Sequence, residues 1–438
     1  MKLYPHQARE LEETKDFNRV AYYHDMGLGK TYTGAEKMMD LGAYRNLLIC
    51  QKSKVKDWID HFKEHYKIGV IDLTTSKKAI DTLLQWDYEV QAVGIINYEL
   101  AFRRPELKNL RAFTLMLDES SMIQNETAKR SKFILNLKPD NVILLSGTPT
   151  GGKYEKLWSQ LHLLGWNISK DLYWRQYIDT EIIDSQGFPI KVVKGYKNVE
   201  RLKAKMRQYG CRFLKTEGVF DLPKQNFTTI SIPTTKEYRK FRKTGIIRLN
   251  EKTKSYVDES GHDVDYVTGI ELVGDTILKK MLYERQLCGH YNGAKLDAFR
   301  DLLESTSDRL IVFYNFEAEC QILREIAGKY DRPVSIVSGK QKDLSEYEKC
   351  ENSVTLIQYQ AGAMGLNLQK ANKIVYFTPP LSSELFEQSK KRIHRINQER
   401  PCFYYQLCCG GSVEEKIYRT LAMRKDYTEA LFESEKGE

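Results

Sequence analysis

Two series of short apolar segments, separated by helix-like stretches, constrain the fold of this chain more than any other feature. The first series comprises residues 20–23, 46–50, 70–73, 93–96, 114–117 and 142–145, and the second comprises 310–314, 334–337, 355–357, 373–377 and 403–407. Most of these segments are continuously apolar, which is typical of parallel strands that are covered by helices on both faces. The alternation therefore predicts an α/β fold of two doubly wound parallel-sheet lobes.

The boundary between the lobes is predicted at Leu222-Pro223, because proline ends the element that precedes it. We expect an N-terminal lobe at 1–222 with a helical insertion at about 154–216, and a C-terminal lobe at 223–438 with a helical and hairpin insertion at about 235–294. Residues 238–248 and 276–288 are predicted helices. Gln186-Gly187 predicts a hairpin turn, and the polar stretch 252–269 predicts a protruding hairpin or a mobile loop. Residues 413–432 are predicted to form an amphipathic helix that packs on the second lobe.

Composition excludes several classes of protein. The chain of 438 residues is 41% hydrophobic, which is too apolar for a disordered chain, and its apolar runs are too short to cross a membrane. The net charge of +9 permits a polyanionic partner without requiring one. Eight cysteines without a C-x-x-C pair predict reduced thiols and no zinc site. The N-terminus lacks the apolar core of a signal peptide, so we expect a soluble intracellular protein.

A phosphate-binding loop is predicted between the first strand and the following helix. The loop reads His24-Asp25-Met26-Gly27-Leu28-Gly29-Lys30-Thr31. Its backbone N–H groups, with Gly27 and Gly29, can wrap a phosphate at a helix N-terminus. Lys30 would reach the β- and γ-phosphates of a nucleotide, and the Thr31 hydroxyl would bind Mg²⁺. Because His24 stands where the general pattern has glycine, a glycine turn without function is the alternative.

Two carboxylates end the predicted strand at 114–117. Asp118 and Glu119 would lie at the carboxyl edge of a parallel sheet, where ligands bind. Asp118 would hold Mg²⁺, and Glu119 would orient or deprotonate the attacking water. A solvated strand end is the alternative for such a pair, but the preceding phosphate loop favours the second half of a nucleotide site.

The order of these and other segments resembles helicase superfamily two. Gly29-Lys30-Thr31, Asp118-Glu119 and Ser146-Gly147-Thr148-Pro149 resemble motifs I, II and III of that superfamily. Four further segments resemble other motifs of the superfamily. They are Tyr4-Pro5-His6-Gln7 (Q motif), Gln51-Lys52-Ser53 with Trp58 (motif Ia), 361–368 (motif V), and Gln388 with 392–398 (motif VI). The residues of several of these motifs are similar to those of the Swi/Snf-type subgroup. The segments that resemble the superfamily are spread over nearly the whole chain. Compact members of this kind are carried by bacteria and bacteriophages.

The resemblance implies the fold, the activity and further site residues. The lobes would be RecA-like, Gln7 would read adenine, and Gly365 would belong to the nucleotide site. Arg392 and Arg395 would act as arginine fingers on the transferring phosphoryl group. Residues at motif edges would face one strand of DNA, namely Lys52, Ser53, Asn97, Tyr98, Asn315 and Gln358.

The function predicted from the resemblance is an ATP-dependent motor that translocates on duplex DNA and remodels DNA or protein–DNA complexes. A strand-separating or branch-reannealing helicase is an alternative, and a catalytically dead nucleic-acid-binding scaffold is another. We expect DNA, duplex or branched, as the partner, with replication, recombination or defence proteins as further candidates. The chain is expected to be a monomer that acts without a membrane, in the cytoplasm of a bacterium or of a phage-infected cell.

Overall fold

The computed structural model describes residues 3–87, 89–185, 188–257, 263–362 and 366–432. The chain divides into two compact units. The first contains Met1–Asp221 together with the C-terminal residues from Arg424 onward, and the second contains Leu222–Met423. None of the described helices combines the length and the apolarity needed to cross a bilayer.

The first unit is built on a seven-stranded sheet with the order β3-β4-β2-β5-β6-β1-β9, and all its strand pairs are parallel. A separate antiparallel pair, β7 and β8, forms a hairpin. The strands of this unit are β1 (Arg19–His24), β2 (Arg45–Cys50), β3 (Gly69–Asp72), β4 (Ala92–Asn97), β5 (Phe113–Asp118), β6 (Asn141–Leu145), β7 (Ile178–Ser185), β8 (Phe188–Tyr196) and β9 (Cys211–Leu214).

Helices cover both faces of this sheet. They are α1 (Pro5–Glu13), α2 (Lys30–Asp40), α3 (Val55–His65), α4 (Lys78–Leu84), α5 (Tyr98–Ala101), α6 (Lys129–Leu135), α7 (Trp158–Leu163), α8 (Lys170–Tyr177) and α9 (Val199–Gln208). Neighbouring residues of one strand enter different cores: Leu47 and Ile49 pack on one face of the sheet, whereas Leu48 and Cys50 pack on the other. Burial of both faces explains why these strands are continuously apolar.

The second unit repeats this design. Its sheet has the order β10-β18-β17-β13-β16-β14-β15, and only the short β14–β15 pair is antiparallel. A separate hairpin joins β11 and β12. The strands are β10 (Gln225–Ile232), β11 (Ile246–Val257), β12 (Asp263–Val273), β13 (Leu310–Tyr314), β14 (Val334–Val337), β15 (Lys342–Asp343), β16 (Val354–Gln358), β17 (Lys373–Tyr376) and β18 (Cys402–Cys409).

The helices of the second unit again lie on both faces of its sheet. They are α10 (Lys236–Thr244), α11 (Ile277–Cys288), α12 (Gly293–Glu304), α13 (Glu317–Lys329), α14 (Ser345–Lys349), α15 (Tyr359–Gly362), α16 (Ser383–Lys390) and the part of α17 (Val413–Phe432) that precedes Arg424. Ile311 and Phe313 pack on one face, and Leu310 and Val312 on the other. The two doubly wound parallel sheets confirm the predicted fold class.

All eleven predicted strands form, but four elements depart from expectation. The edge strands β9, β10 and β15 were not predicted, and the predicted helix at 238–248 ends earlier. It stops at Thr244 because Gly245 adopts a left-handed conformation with φ 75°, after which Ile246 begins β11. Both predicted hairpins are present, although the turn residues Gln186 and Gly187 lie outside the described part of the chain.

All eight cysteines are free thiols, and seven of them are buried. Two of them, Cys288 and Cys409, lie with Glu414 so that their potential ligand atoms fall within 4.8 Å of one another. Sequence spacing gave no signal for this group. Both carboxylate oxygens of Glu414 accept hydrogen bonds from the Lys295 ammonium, at 2.6 and 2.7 Å, so the group is built around an ion pair.

Candidate active site

The predicted phosphate loop connects β1 to α2 and carries two left-handed glycines. Gly27 has φ 91° and Gly29 has φ 70°, conformations that residues with a Cβ atom rarely adopt. Gly29 is the N-cap of α2, which starts at Lys30. The Lys30 ammonium donates hydrogen bonds to the carbonyl oxygens of His24 (2.8 Å) and Asp25 (3.0 Å). The loop thus presents a helix N-terminus and a lysine on one side, as an anion site requires.

Two side chains of helix α1 contact this loop. The Gln7 amide donates to the Gly29 carbonyl at 3.0 Å, and a ring nitrogen of His6 lies 3.0 Å from the Leu28 carbonyl. A Cβ atom on Gly29 would lie 2.3 Å from the Gln7 amide nitrogen. Gln7 therefore lies against the phosphate loop, and a larger residue at position 29 would have to displace the Gln7 amide as well as adopt a left-handed conformation.

His24 occupies the position at which the general loop pattern has glycine. Its side chain is fully buried, and its Nε2 atom lies 3.5 Å from a carboxylate oxygen of Glu10, which also accepts from Arg212 at 3.0 Å. Burial lowers the pKa of His24. Burial alone would raise the pKa of Glu10, but His24 and Arg212 lower it overall. His24, Glu10 and Arg212 thus form a polar cluster beneath the loop. Glu10 and Arg212 were not predicted from the sequence, because they lie far apart in the chain.

Asp118 ends β5, and Glu119 follows it in a left-handed conformation with φ 59°. Such a conformation is uncommon for a residue with a side chain. The indole nitrogen of Trp58 donates to Asp118 Oδ2 at 2.8 Å. Glu119 Oε1 accepts from the hydroxyls of Ser146 (2.5 Å) and Ser121 (2.9 Å). Both carboxylates are therefore held in fixed orientations by neighbouring donors.

Burial raises the pKa of both carboxyl groups. Hydrogen bonds oppose this rise, from Trp58 for Asp118 and from Ser146 for Glu119, and so does the positive charge of Lys30. A Cβ atom built on Gly147 would lie 3.5 Å from the Lys30 ammonium nitrogen, so the lysine lies beside the loop whose Ser146 hydroxyl donates to Glu119. Lysine, two carboxylates and a hydroxyl-bearing loop thus meet at the carboxyl edge of one parallel sheet, where ligands bind in folds of this class.

This donor set fits a magnesium–nucleotide complex. Mg²⁺ prefers oxygen ligands and is held in proteins by one or two carboxylates together with substrate phosphates. Thr31, in the first turn of α2, and Asp118, at the end of β5, are the residues that would hold it. Sequence reasoning proposed both of these groups, and the fold brings the segments that carry them to the same edge of the sheet.

The predicted nucleic-acid contacts of the first unit fall into two groups. Lys52 and Ser53 are exposed, immediately after β2. Asn97 is buried and donates to Glu99 at 2.9 Å, and Tyr98 is fully buried. The Tyr98 hydroxyl donates to the backbone carbonyls of Asp118 and Glu119, at 3.1 and 3.3 Å. The Tyr98 side chain therefore supports the segment that carries the two carboxylates from within the core.

In the second unit, Asn315 and Gln358 line one cavity of about 250 Å³ at the carboxyl ends of β13 and β16. The Asn315 amide donates to the Thr378 hydroxyl at 2.9 Å and to the Pro379 carbonyl at 3.1 Å. Arg285 lines the same cavity and donates to the Pro379 carbonyl at 3.1 Å. Sequence reasoning missed Arg285, which lies in α11, far from the motifs in the chain.

The two predicted arginine fingers lie just after α16. Arg392 is buried within the second unit, and its guanidinium donates to the Leu366 carbonyl at 3.4 Å. Arg395 is partly exposed, and burial lowers its pKa. Gly365, which was predicted to belong to the nucleotide site, lies outside the described residues.

Two family models together match most of the chain. One described as SNF2-related domain matches residues 15–292, and one described as Helicase conserved C-terminal domain matches residues 294–397. Among solved structures, the chain is similar to "Sulfolobus solfataricus SWI2/SNF2 ATPase core in complex with dsDNA", with a TM-score of 0.45 and 20% identity, over 98% of this chain and 92% of that one.

Curated relatives carry related descriptions. Human SWI/SNF-related matrix-associated actin-dependent regulator of chromatin subfamily A member 1 is 23% identical over 90% of this chain and 40% of its own length. The Saccharomyces cerevisiae DNA repair and recombination protein RAD26 is 24% identical, over 94% and 40%. The putative ATP-dependent helicase/translocase YwqA of Bacillus subtilis is 22% identical, over 94% and 46%. The chain thus spans less than half the length of these relatives. Because the first family model covers more than half of the chain, the chain belongs to the SNF2-related family.

Proposed function

We propose that this chain is a DNA-dependent ATPase that translocates on duplex DNA and remodels DNA or protein–DNA complexes. The observation that carries the proposal is the meeting of Lys30, Asp118, Glu119 and Ser146 at the carboxyl edge of one parallel sheet. Membership of the SNF2-related family supports the same activity. The Bacillus subtilis relative, described as a putative ATP-dependent helicase/translocase, supports movement along DNA as the use of that activity.

The residues of the first unit would divide the reaction between them. Lys30 would bind the β- and γ-phosphates of ATP, and its present partners, two loop carbonyls, are groups that a phosphate can replace. Magnesium, held by Thr31 and Asp118, would neutralise charge on the phosphates. Glu119 would accept a proton from the attacking water, and Ser146 and Ser121 would keep its carboxylate in place.

DNA would be gripped through its phosphates by exposed or partly exposed polar groups at the sheet edges. Lys52 and Ser53 serve this role in the first unit, and Asn315 and Gln358 in the second. Contacts of this kind are independent of base sequence, so the motor can advance along any duplex. Alternating grip by two units, driven by binding and hydrolysis of ATP, would produce directional movement.

The test is ATP hydrolysis by the wild type and by Lys30→Ala, each alone and with single-stranded DNA, plain duplex, forked DNA and RNA. Lys78→Ala, which removes an exposed lysine of the same unit outside the loop, is the matched control. We expect strong stimulation by plain duplex, and a loss of at least about 100-fold in Lys30→Ala only.

Each other outcome selects a different function. Stimulation by single strands or forks alone would favour the strand-separating helicase. Absence of hydrolysis with every nucleic acid would overturn the proposal and favour the binding scaffold.

A further inference from the structure

Two buried aromatic side chains connect the catalytic carboxylates to the segments that carry the proposed DNA contacts. Trp58, on α3, donates its indole N–H to Asp118 Oδ2 at 2.8 Å. Tyr98, at the start of α5, donates its hydroxyl to the carbonyls of Asp118 and Glu119. Both residues therefore act on the carboxylate segment, whereas Gln7 and Lys30 act on the phosphate loop.

The order of the sheet explains this convergence. Strands β4, β2 and β5 are neighbours and run parallel, so their carboxyl ends lie side by side. The chain after β2 forms the short 3-10 turn Lys52–Lys54 and continues directly into α3. Trp58 therefore lies one helical turn beyond the basic segment, and movement of that segment displaces the indole with the helix.

The indole has a single defined orientation. Trp58 is 2% exposed and stacks on Phe62 with ring centroids 5.7 Å apart, while the His61 ring lies perpendicular to the indole with centroids 5.8 Å apart. An indole N–H can only donate, and it needs a partner when it is buried. A rigid ring with one donor transmits a displacement of α3 to the carboxylate, whereas a flexible side chain would absorb it.

We propose that Trp58, assisted by Tyr98, is a positioning residue that couples occupation of the Lys52–Lys54 segment by DNA to the orientation of Asp118. The inference rests on the proposed function, since it supplies the route by which duplex DNA stimulates ATP hydrolysis. Asp118 in the orientation fixed by the indole is ready to hold the metal of the nucleotide complex. Without the indole N–H, the carboxylate can rotate, and DNA binding no longer affects it.

The experiment compares the wild type with Trp58→Phe, which keeps an aromatic ring and removes the N–H. Trp86→Phe is the matched control, because it makes the same change in the same unit, where the indole donates to the Val90 carbonyl at 2.9 Å instead of to a carboxylate. Three quantities are measured: binding of a fluorescent ATP analogue at increasing Mg²⁺ without DNA, the affinity for duplex DNA, and the stimulation of hydrolysis by duplex.

For Trp58→Phe we expect the half-saturating Mg²⁺ concentration to rise at least threefold and the stimulation by duplex to fall at least fivefold, with DNA affinity unchanged. Trp86→Phe should match the wild type. An unchanged or lower Mg²⁺ requirement would overturn the inference, as would full stimulation by DNA. If the thermal midpoint of Trp58→Phe shows that it does not fold, Trp58→Met replaces it, since methionine adapts its shape to a core site and also lacks the N–H; wild-type coupling in that variant would overturn the inference as well.

The two proposals fail in different ways. A wild type that duplex DNA does not stimulate contradicts the proposed function. A wild type that is stimulated, together with a Trp58→Phe variant that behaves identically, contradicts only the coupling role of Trp58.

Discussion

At the scale of single residues, Glu319 in the second unit is a carboxyl group without access to water. Its Oε2 atom accepts from the backbone N–H groups of Asn315 (2.9 Å) and Phe316 (3.1 Å) and from the Thr378 hydroxyl (3.0 Å). Burial raises the pKa of Glu319 to about 7, although these donors and the charge of Lys295 oppose the rise. Burial lowers the pKa of the Arg285 guanidinium, and the charge of Glu319 opposes this change.

We predict that Glu319→Gln makes the protein less sensitive to pH. The folded-state pKa of about 7 exceeds the ordinary value of 4.5, so the stability that Glu319 contributes is fully present below about pH 4.5 and is lost as the pH rises through about 7. Glutamine keeps the acceptor oxygen and cannot ionise. Relative to the wild type, Glu319→Gln should gain about 1–3 kcal/mol between pH 5 and pH 8.

Thermal midpoints at pH 5 and pH 8 check this prediction, since each kcal/mol corresponds to about 2–4 °C in a unit of this size. Glu317→Gln, an exposed position in the first turn of the same helix, is the control. Equal pH dependence of the wild type and Glu319→Gln would show that Glu319 is ionised throughout this range.

Residues within contiguous motifs could be placed from the sequence, whereas their supporting partners could not. Lys30 and Asp118 lie where predicted because a loop between strand and helix, and the end of a parallel strand, have fixed positions in this fold. The hydrogen bond from Trp58 to Asp118 joins residues that are 60 positions apart, so no local sequence pattern predicts it. Tyr98, predicted to lie on a motif edge that faces DNA, has a buried side chain, because tertiary packing decides which side of a strand end is covered.

At the scale of elements, α17 is attached to the second unit by an ion pair that is inaccessible to water. Lys295 on α12 and Glu414 in the first turn of α17 are both fully buried, and their closest atoms are 2.6 Å apart. Glu414 also accepts from the backbone N–H of Cys409 at 3.0 Å. Burial alone would lower the pKa of Lys295, but the Glu414 carboxylate raises it overall.

We predict that Glu414→Gln destabilises the second unit by about 3–5 kcal/mol, because it leaves the Lys295 ammonium buried without a counter-charge. The double variant Lys295→Met/Glu414→Leu should recover most of this loss, since no charge then remains in the core. Glu415→Gln, which removes an exposed partner of Arg419, should change stability by less than about 1 kcal/mol. Urea unfolding followed by circular dichroism measures all three; equal stability of the two Glu variants would contradict the prediction.

Elements with strong periodicity were predictable, and elements defined by their neighbours were not. The buried strands read as apolar runs because both faces are covered, and α17 reads as an amphipathic helix. Strand β10 lies at the edge of its sheet, and much of it is exposed, so its sequence Gln225–Ile232 lacks an apolar run. Residues 238–248 contain the apolar spacing of a helix throughout, and only Gly245 marks the change to a strand.

At the scale of the whole molecule, the residues that we propose for phosphoryl transfer come from both units of the chain. The first unit carries Lys30, Asp118 and Glu119, and the second carries the two arginines of the segment after α16. Arg392 is enclosed by its own unit, so its replacement would confuse catalysis with stability. Arg395 is partly exposed and is therefore the residue that tests whether catalysis depends on both units.

We predict that Arg395→Ala reduces the DNA-stimulated rate of hydrolysis by about 1,000-fold or more, while the affinities for ATP and for duplex DNA stay within about threefold of the wild type. An arginine finger stabilises charge that develops only in the transition state, so its loss affects kcat and spares binding. Arg395→Lys should remain impaired, because an ammonium lacks the planar fork of donors.

Arg400→Ala, which removes an exposed arginine of the same unit, is the control. Steady-state hydrolysis with saturating duplex, alongside nucleotide and DNA titrations, separates these quantities. A wild-type kcat in Arg395→Ala would confine the essential chemistry to the first unit and would leave the second unit a role in gripping DNA alone.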